Sequence, residues 1–253
     1  MFQIERQQAI VKYLNDHRTA NVEELCEYFN VSKATIRRDI NELARNNLII
    51  KAHGGAMMAD DIQYQEIPYS QKRDVNSESK QKIGAAAAEL IQDGDIIIVD
   101  SGSTTFEMIR HITKQIVLLT HDLMIALATA ENSNIRTLVA GGEIRHDQYA
   151  FSGYDTVAFY RNHHAHKAFL GCDAINLETG LWTRTTDEAA IKQEIIQAAG
   201  QIILMTDQDK FSASAFCRFC GISAVDCIIS DKFSSEQRSD VRLQDIQLID
   251  AFS

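Results

Sequence analysis

Apolar positions fall into two regimes along this 253-residue chain. In residues 1–56 they recur at helical spacing. Ile10, Tyr13 and Leu14 share one face of a helix expected over 6–15. Val22, Leu25 and Phe29 do the same over 22–29, with Asn21 placed to cap the N-terminus. Ile36, Ile40 and Leu43 form the stripe of a third helix over 33–46, capped by Ser32. Only Asn30-Val31 separates the second helix from that cap, which fits a helix-turn-helix. Residues 48–52 then read as a strand, His53-Gly54-Gly55 as a turn, and 56–58 as a returning strand.

From residue 79 onward the pattern changes to short apolar runs that read as buried strands. They lie at 96–100, 116–120, 136–140, 167–171, 201–206, 227–230 and 246–249. Helical patterns over 80–91, 104–112, 123–130 and 187–199 alternate with them. Such alternation predicts an α/β fold with a mostly parallel sheet covered by helices. Between the two regimes, residues 59–78 are mixed and polar and hold the only proline, Pro68. The expected organisation is a winged helix-turn-helix domain over 1–58, a linker over 59–78, and a ligand-binding and oligomerising domain over 79–253.

Charge sharpens the division. Residues 1–60 carry eight Lys/Arg and eight Asp/Glu, and the remainder carries 17 against 27, so the net charge of −10 sits entirely in the second part. Any DNA contact is therefore expected in the neutral head alone. No run resembles a signal peptide or a membrane span, so a cytoplasmic location and no membrane partner are expected. Five cysteines in a chain of this length do not suggest a disulfide framework.

In the head, the face of the third helix opposite the apolar stripe carries Ala34 and Arg38, flanked by Thr35 and Arg37. Small, hydroxyl and Arg side chains at a helix N-terminus suit entry into the major groove, where Arg bridges guanine O6 and N7. The bland alternative is a solvated face with two arginines. The hairpin that follows favours DNA, because it would form a wing from which Lys51 and His53 reach phosphates or the minor groove.

In an open parallel sheet, ligands sit beyond the strand C-termini. The first strand there offers Ser101, Gly102, Ser103, Thr104 and Thr105 just before a helix, an arrangement suited to a phosphate, with hydroxyl donors and free helical N–H groups. The other strands end on Thr120-His121-Asp122, Gly141-Gly142-Glu143, Gly171-Cys172-Asp173 and 207–210, the last including Lys210. A lysine near hydroxyls suits a phosphate dianion, and Asp173 and Glu188 suit sugar hydroxyls. Each feature also has a structural reading: Ser103, Thr104 or Asp122 as N-caps, Gly141-Gly142 as a bare turn, Lys210 as a solvated side chain.

Val31-Ser32-Lys33-Ala34-Thr35-Ile36-Arg37-Arg38-Asp39-Ile40-Asn41-Glu42-Leu43, followed by His53-Gly54-Gly55-Ala56, resembles the winged helix of DeoR-family bacterial sugar-operon repressors. The second part resembles that family's effector domain, which is similar in fold to ribose-5-phosphate isomerase. The matching stretches are 100–105, Ala140-Gly141-Gly142, 168–173, 187–192 and 206–211. The resemblance implies a repressor of a carbohydrate-utilisation operon that binds double-stranded operator DNA as a dimer or tetramer, and whose binding is switched by a phosphorylated sugar. It implies DNA contacts from Ser32, Lys33, Ala34, Thr35, Arg37, Arg38, Lys51, His53 and Gly54. In the effector domain it implies phosphate contacts from the loop 101–105 and Lys210, sugar contacts from Asp173, Glu188 and Lys192, and positions for His121 and Gly142 at the same site. No cofactor is implied. The chain departs from relatives at His121, where an asparagine is usual, and at Thr183-Arg184-Thr185-Thr186, where a proline-bearing loop is common.

Two other classes fit parts of the sequence. An isomerase needs a positioned base and an electrophile. The isomerases carry an aspartate three residues before the position of Asp173, where this chain has Leu170, and a lysine before a triple glycine, where it has Glu178-Thr179-Gly180-Leu181. Binding without turnover is the expectation. A metal or redox sensor would use Cys217-Arg218-Phe219-Cys220 and His163, His164 and His166, but one CxxC lacks the second ligand pair of a structural zinc site.

Overall fold

The computed structural model describes residues 3–17, 19–45, 49–52, 54–58 and 67–252. The chain forms two compact units, Met1–Gln65 and Glu66–Ser253.

The first unit runs α1 (Gln3–His17), β1 (Thr19–Asn21), α2 (Val22–Phe29), α3 (Lys33–Arg45), β2 (Ile49–Ala52) and β3 (Gly55–Met58). Asn21 caps α2 through a reciprocal capping box with Glu24, and Asn30 ends that helix in the left-handed region at φ 51°. The Ser32 hydroxyl accepts from Thr35 N at 3.2 Å and so starts α3. Ile10, Leu14, Leu25, Ile36, Ile40 and Leu43 form one buried core. The three strands pair antiparallel in the order β1-β3-β2, so β2 and β3 are the expected wing. The pattern did not reveal β1, because three residues are too few to show a period.

The second unit continues with α4 (Tyr69–Asp74), α5 (Ser77–Ala88), β4 (Ile96–Val99), α6 (Ser103–Met108), β5 (Ile116–Thr120), α7 (Leu123–Thr129), β6 (Ile135–Val139), β7 (Glu143–Arg145), β8 (Ala150–Ser152) and α8 (Tyr154–Arg161). Then come β9 (Ala165–Leu170), β10 (Ala174–Asn176), β11 (Gly180–Thr183), α9 (Thr186–Ala198), β12 (Ala199–Thr206), β13 (Cys217–Cys220), β14 (Cys227–Ser230), α10 (Ser235–Ser239) and β15 (Gln247–Asp250). Seven strands build one sheet in the order β15-β14-β12-β9-β4-β5-β6, parallel throughout. They are the seven apolar runs of the sequence.

Successive strand residues point to opposite faces. Ile97, Val99, Leu118, Ile203 and Met205 pack under the helices of residues 83–125, whereas Ile98, Ala168, Leu170, Ile202 and Leu204 pack under α8 and α9. Two small sheets, β7-β8 and β10-β11-β13, were not expected from the pattern.

The chain leaves β4 towards β5 and β6, then returns to the other side of β4 as β9. The strand order therefore reverses between β4 and β9, the kind of switch point at which open parallel sheets form their ligand crevice, beyond the strand C-termini.

The stretch expected as a linker is partly built into this unit. Tyr69 is buried. Its N–H donates to Asp147 O at 2.7 Å, and Gln148 Nε2 donates to Ile67 O at 2.8 Å. Residues 59–66, including Tyr64, lie outside the described residues.

Candidate functional site

The recognition surface follows from α3. With Ile36, Ile40 and Leu43 buried, Ser32, Lys33, Ala34, Arg37 and Arg38 are exposed and Thr35 is half-buried. Lys33 Nζ lies 2.5 Å from Glu23 of α2. On the wing, Lys51 is exposed and donates to Asn41 Oδ1 at 2.9 Å, and Gly54 sits in the turn at φ 84°. His53 lies outside the described residues. Asp39, on the same helix, is fully buried and paired with Arg6 of α1 at 2.5 Å. It stands three residues from Ile36, at the edge of the apolar stripe, which was the signal available in the sequence.

The second surface is the crevice between β4 and β9. Its hydroxyl loop is more internally satisfied than its composition suggests. Ser101 Oγ donates to Asp122 Oδ2 at 2.7 Å. Thr105 Oγ1 is buried, 2.8 Å from the Asp100 carbonyl oxygen and 2.9 Å from that of Gly102. Ser103 Oγ faces the Lys72 carbonyl at 3.4 Å. Asp122 caps α7 by accepting from Met124 and Ile125 N–H, and burial raises its pKa to about 6.

Beneath this loop, Lys192 Nζ donates to Asp100 Oδ2 and, at 3.0 Å, to the Gly171 carbonyl, while Gly171 N donates to Asp100 Oδ2 at 3.0 Å. This pins the ends of β4 and β9 together through α9. Burial pulls the Lys192 pKa down, but Asp100 and Glu188 outweigh it and the net direction is up. His121 is also buried. Its Nδ1 is 2.9 Å from the Tyr160 hydroxyl, and burial lowers its pKa to about 4.

Asp173 and Glu188 share Thr183, whose Oγ1 is 3.1 Å from Asp173 Oδ2 and 2.6 Å from Glu188 Oε2. Cations surround the pair: Lys72 Nζ at 3.8 Å and Arg184 Nε at 3.5 Å from Asp173 Oδ1, and Arg145 Nη2 at 3.1 Å from Glu188 Oε1. Burial alone would raise the Asp173 pKa, but Lys72, Lys210, Arg184 and Lys192 hold it well below the usual carboxylate range. Glu188 is lowered too, with Lys72 the foremost charge acting against its burial. Lys210 follows β12 in a 3-10 turn, half-buried, and makes no ion pair among the described residues.

The structure thus gathers Ser101, Gly102, Ser103, Thr104, Thr105, Asp173, Glu188, Lys192 and Lys210 at one sheet edge. Gly142 belongs to the fold beside it. At φ 154°, a Cβ there would lie 2.3 Å from Ser152 O. Sequence reasoning missed Lys72 and Arg145, because α4 and the hairpin β7-β8 carry no clear period, and it noted Arg184 only as part of a departing loop, without a role. Cys217 and Cys220 lie on β13 beside the core, and burial raises the Cys220 thiol to about 11. No group of three or more His, Cys, Asp or Glu residues is placed to hold a metal among the described residues.

Comparison with known proteins settles the class. Residues 6–61 match the DeoR-like helix-turn-helix domain and residues 75–232 match the DeoR C terminal sensor domain. The chain belongs to the DeoR family. This DeoR-family chain is 30% identical over 253 residues to the HTH-type transcriptional regulator GlpR of Haloferax volcanii, covering 99% of this chain and 98% of that one. It is also 30% identical to the glycerol-3-phosphate regulon repressor of Escherichia coli K12, covering 91% and 92%. A ribose 5-phosphate isomerase from Methanocaldococcus jannaschii overlaps 53% of this chain and 54% of its own at 17% identity and a TM-score of 0.39. The DeoR-family chain is a DNA-binding transcriptional regulator, not an enzyme. Among the described residues, no helix is long and apolar enough to cross a membrane.

Proposed function

We propose that this regulator represses a carbohydrate-utilisation operon by holding operator DNA as a homo-oligomer, and releases it when a phosphorylated sugar enters the crevice between β4 and β9. The observation that carries this reading is the pairing of a buried and a half-buried carboxylate, Asp173 and Glu188, with a rim of lysine and arginine at the point of strand reversal. Carboxylates held ionised accept hydrogen bonds from sugar hydroxyls. Lys210, which has no ion partner among the described residues, supplies positive charge for a phosphate beside the loop 101–105. Because Thr105 is turned inward, Thr104 and the loop's backbone N–H groups are the better phosphate contacts there. Two recognition helices are needed because one reads few base pairs, and an oligomer presents them to paired half-sites. The ligand acts through its differential affinity for the DNA-competent and DNA-incompetent arrangements.

The test is operator binding on the DNA flanking the protein's own gene, repeated with phosphorylated sugars and their unphosphorylated parents. Release by one phosphorylated compound and not by its parent is expected. Lys210→Ala should lose that response and keep its operator affinity. A fully responsive Lys210→Ala protein would place the phosphate elsewhere.

A further inference from the structure

The segment between the DNA-binding unit and the sheet is tied into the crevice at four points. Lys72, on α4, reaches Asp173 Oδ1 at 3.8 Å and Gln148 Oε1 at 3.4 Å. The Lys72 carbonyl accepts from Ser103 Oγ of the hydroxyl loop at 3.4 Å. Lys80 of α5, itself buried, donates from Nζ to the Lys72 carbonyl and to the Val75 carbonyl at 2.6 Å, so it closes the end of α4. Asn76, in the left-handed region at φ 55°, donates to Asp209 Oδ2 at 2.9 Å, next to Lys210. One short stretch, 69–76, thereby touches Asp173, Ser103 and Asp209, the last being the neighbour of Lys210. In sequence it begins three residues after the boundary between the two units.

We infer that α4 is the element that carries effector occupancy to the DNA-binding unit, with the Lys72–Asp173 pair as its latch. This rests on the reading of the crevice as a sugar-phosphate site. A sugar hydroxyl that takes Asp173, or a phosphate that draws Lys72, breaks the pair. The same backbone carbonyl that Lys80 and Ser103 hold then has to move. Lys72 acts here as a positioning residue: its charge is the foremost opposite charge on both Asp173 and Glu188, so it senses either carboxylate being engaged. The physical warrant is linkage through a two-state element and needs no contact between the units beyond the chain itself.

The experiment uses the full chain and the DNA flanking its own gene. Operator affinity is measured without ligand for wild type, Lys72→Met, Asp173→Asn, the double variant and Lys72→Arg. It is then repeated with glycerol 3-phosphate, ribose 5-phosphate, glucose 6-phosphate and inorganic phosphate. The only tryptophan, Trp182, whose carbonyl accepts from Asp173 N at 2.9 Å, reports binding by fluorescence. Lys72→Met and Asp173→Asn should each weaken operator binding about fivefold or more, at the low end of usual allosteric couplings. The double variant should be no weaker than either single one, and Lys72→Arg should restore near-wild-type affinity. Lys72→Met protein with wild-type operator affinity and wild-type release would overturn the inference. If Lys72→Met does not fold, Asp173→Asn alone decides, and unchanged operator affinity in it counts against the latch. If no compound moves wild type but the variant pattern holds, the ligand reading falls and the latch stands. If a compound releases wild type and Lys72→Met alike, the latch falls and the ligand reading stands.

Discussion

Arg6 of α1 and Asp39 of α3 form a buried ion pair inside the DNA-binding unit, with Nε–Oδ2 at 2.5 Å and Nη2–Oδ1 at 3.3 Å. Asp39 follows Arg37 and Arg38 directly, so this clamp sets the roll of the recognition helix about its own axis. Removing one partner of a buried pair leaves the other charge stranded. Asp39→Ala should destabilise the head by on the order of 2–3 kcal/mol, the low end because 11% of the Arg6 side chain stays in contact with water. Operator affinity should fall with it, while ligand-induced change in Trp182 fluorescence is retained. Chemical denaturation of the full chain and operator titration check both. A variant with wild-type stability would show that the pair does not anchor α3.

Arg38 lies on the exposed face of α3, opposite Ile36, Ile40 and Leu43. Arg38→Ala should cost about 1–3 kcal/mol on the operator and relax the preference for one base pair. Affinity measured across single-base operator variants separates the cases. Equal weakening on every sequence would make Arg38 a phosphate contact instead.

Much of the fold was legible in the sequence, for a physical reason. A strand buried on both faces must be apolar at every position, so Ile96, Ile97, Ile98 and Val99 announce themselves without context. The same holds for β5, β14 and the second half of β12, whereas β6, β9 and β15 carry polar residues such as Arg136, Lys167 and Gln247 and are apolar only in part. The small strands do not announce themselves: Glu143-Ile144-Arg145 and Cys217-Arg218-Phe219-Cys220 are short, mixed and half-exposed, and only their partners make them strands. The site divides similarly. Its loop residues were readable because strand ends in a parallel sheet converge. Lys72 and Arg145 were not, since their places depend on where α4 and β7 dock. Nor could spacing show that Lys192, four residues after Glu188 on α9, turns to Asp100, 92 residues away.

Gly142 tests how tightly the hairpin β7-β8 is held against the sheet. At φ 154° the backbone disfavours any side chain, and a Cβ would meet Ser152 O at 2.3 Å and Thr156 Oγ1 at 2.5 Å. Gly142→Ala should therefore destabilise the second unit by about 2–3 kcal/mol, the sum of strain and a backbone clash. Because Arg145 reaches Glu188 from β7, ligand affinity should drop as well. Thermal unfolding and fluorescence titration read the two effects. Unchanged melting would mean that the hairpin shifts freely.

His121 and Asp122 are neighbours with opposite responses to acid. His121 is buried, 4.0 Å from Asp100 Oδ1 through Nε2, and burial lowers its pKa from 6.5 to about 4. Between those values the unfolded chain binds a proton that the folded chain refuses, so stability falls as pH drops from 6.5 towards 4. For a group shifted this far the loss is on the order of 3 kcal/mol. Asp122, raised from 3.8 to about 6, takes a proton in the folded state first, so acidification through that window adds stability. In the wild type the two trends oppose each other. His121→Asn removes only the first. Denaturation midpoints of the variant, measured from pH 7 down to pH 4.5, should therefore rise relative to wild type as the solution becomes more acidic. Parallel profiles for the two proteins would show that His121 takes up its proton as readily in the folded chain as in the unfolded one.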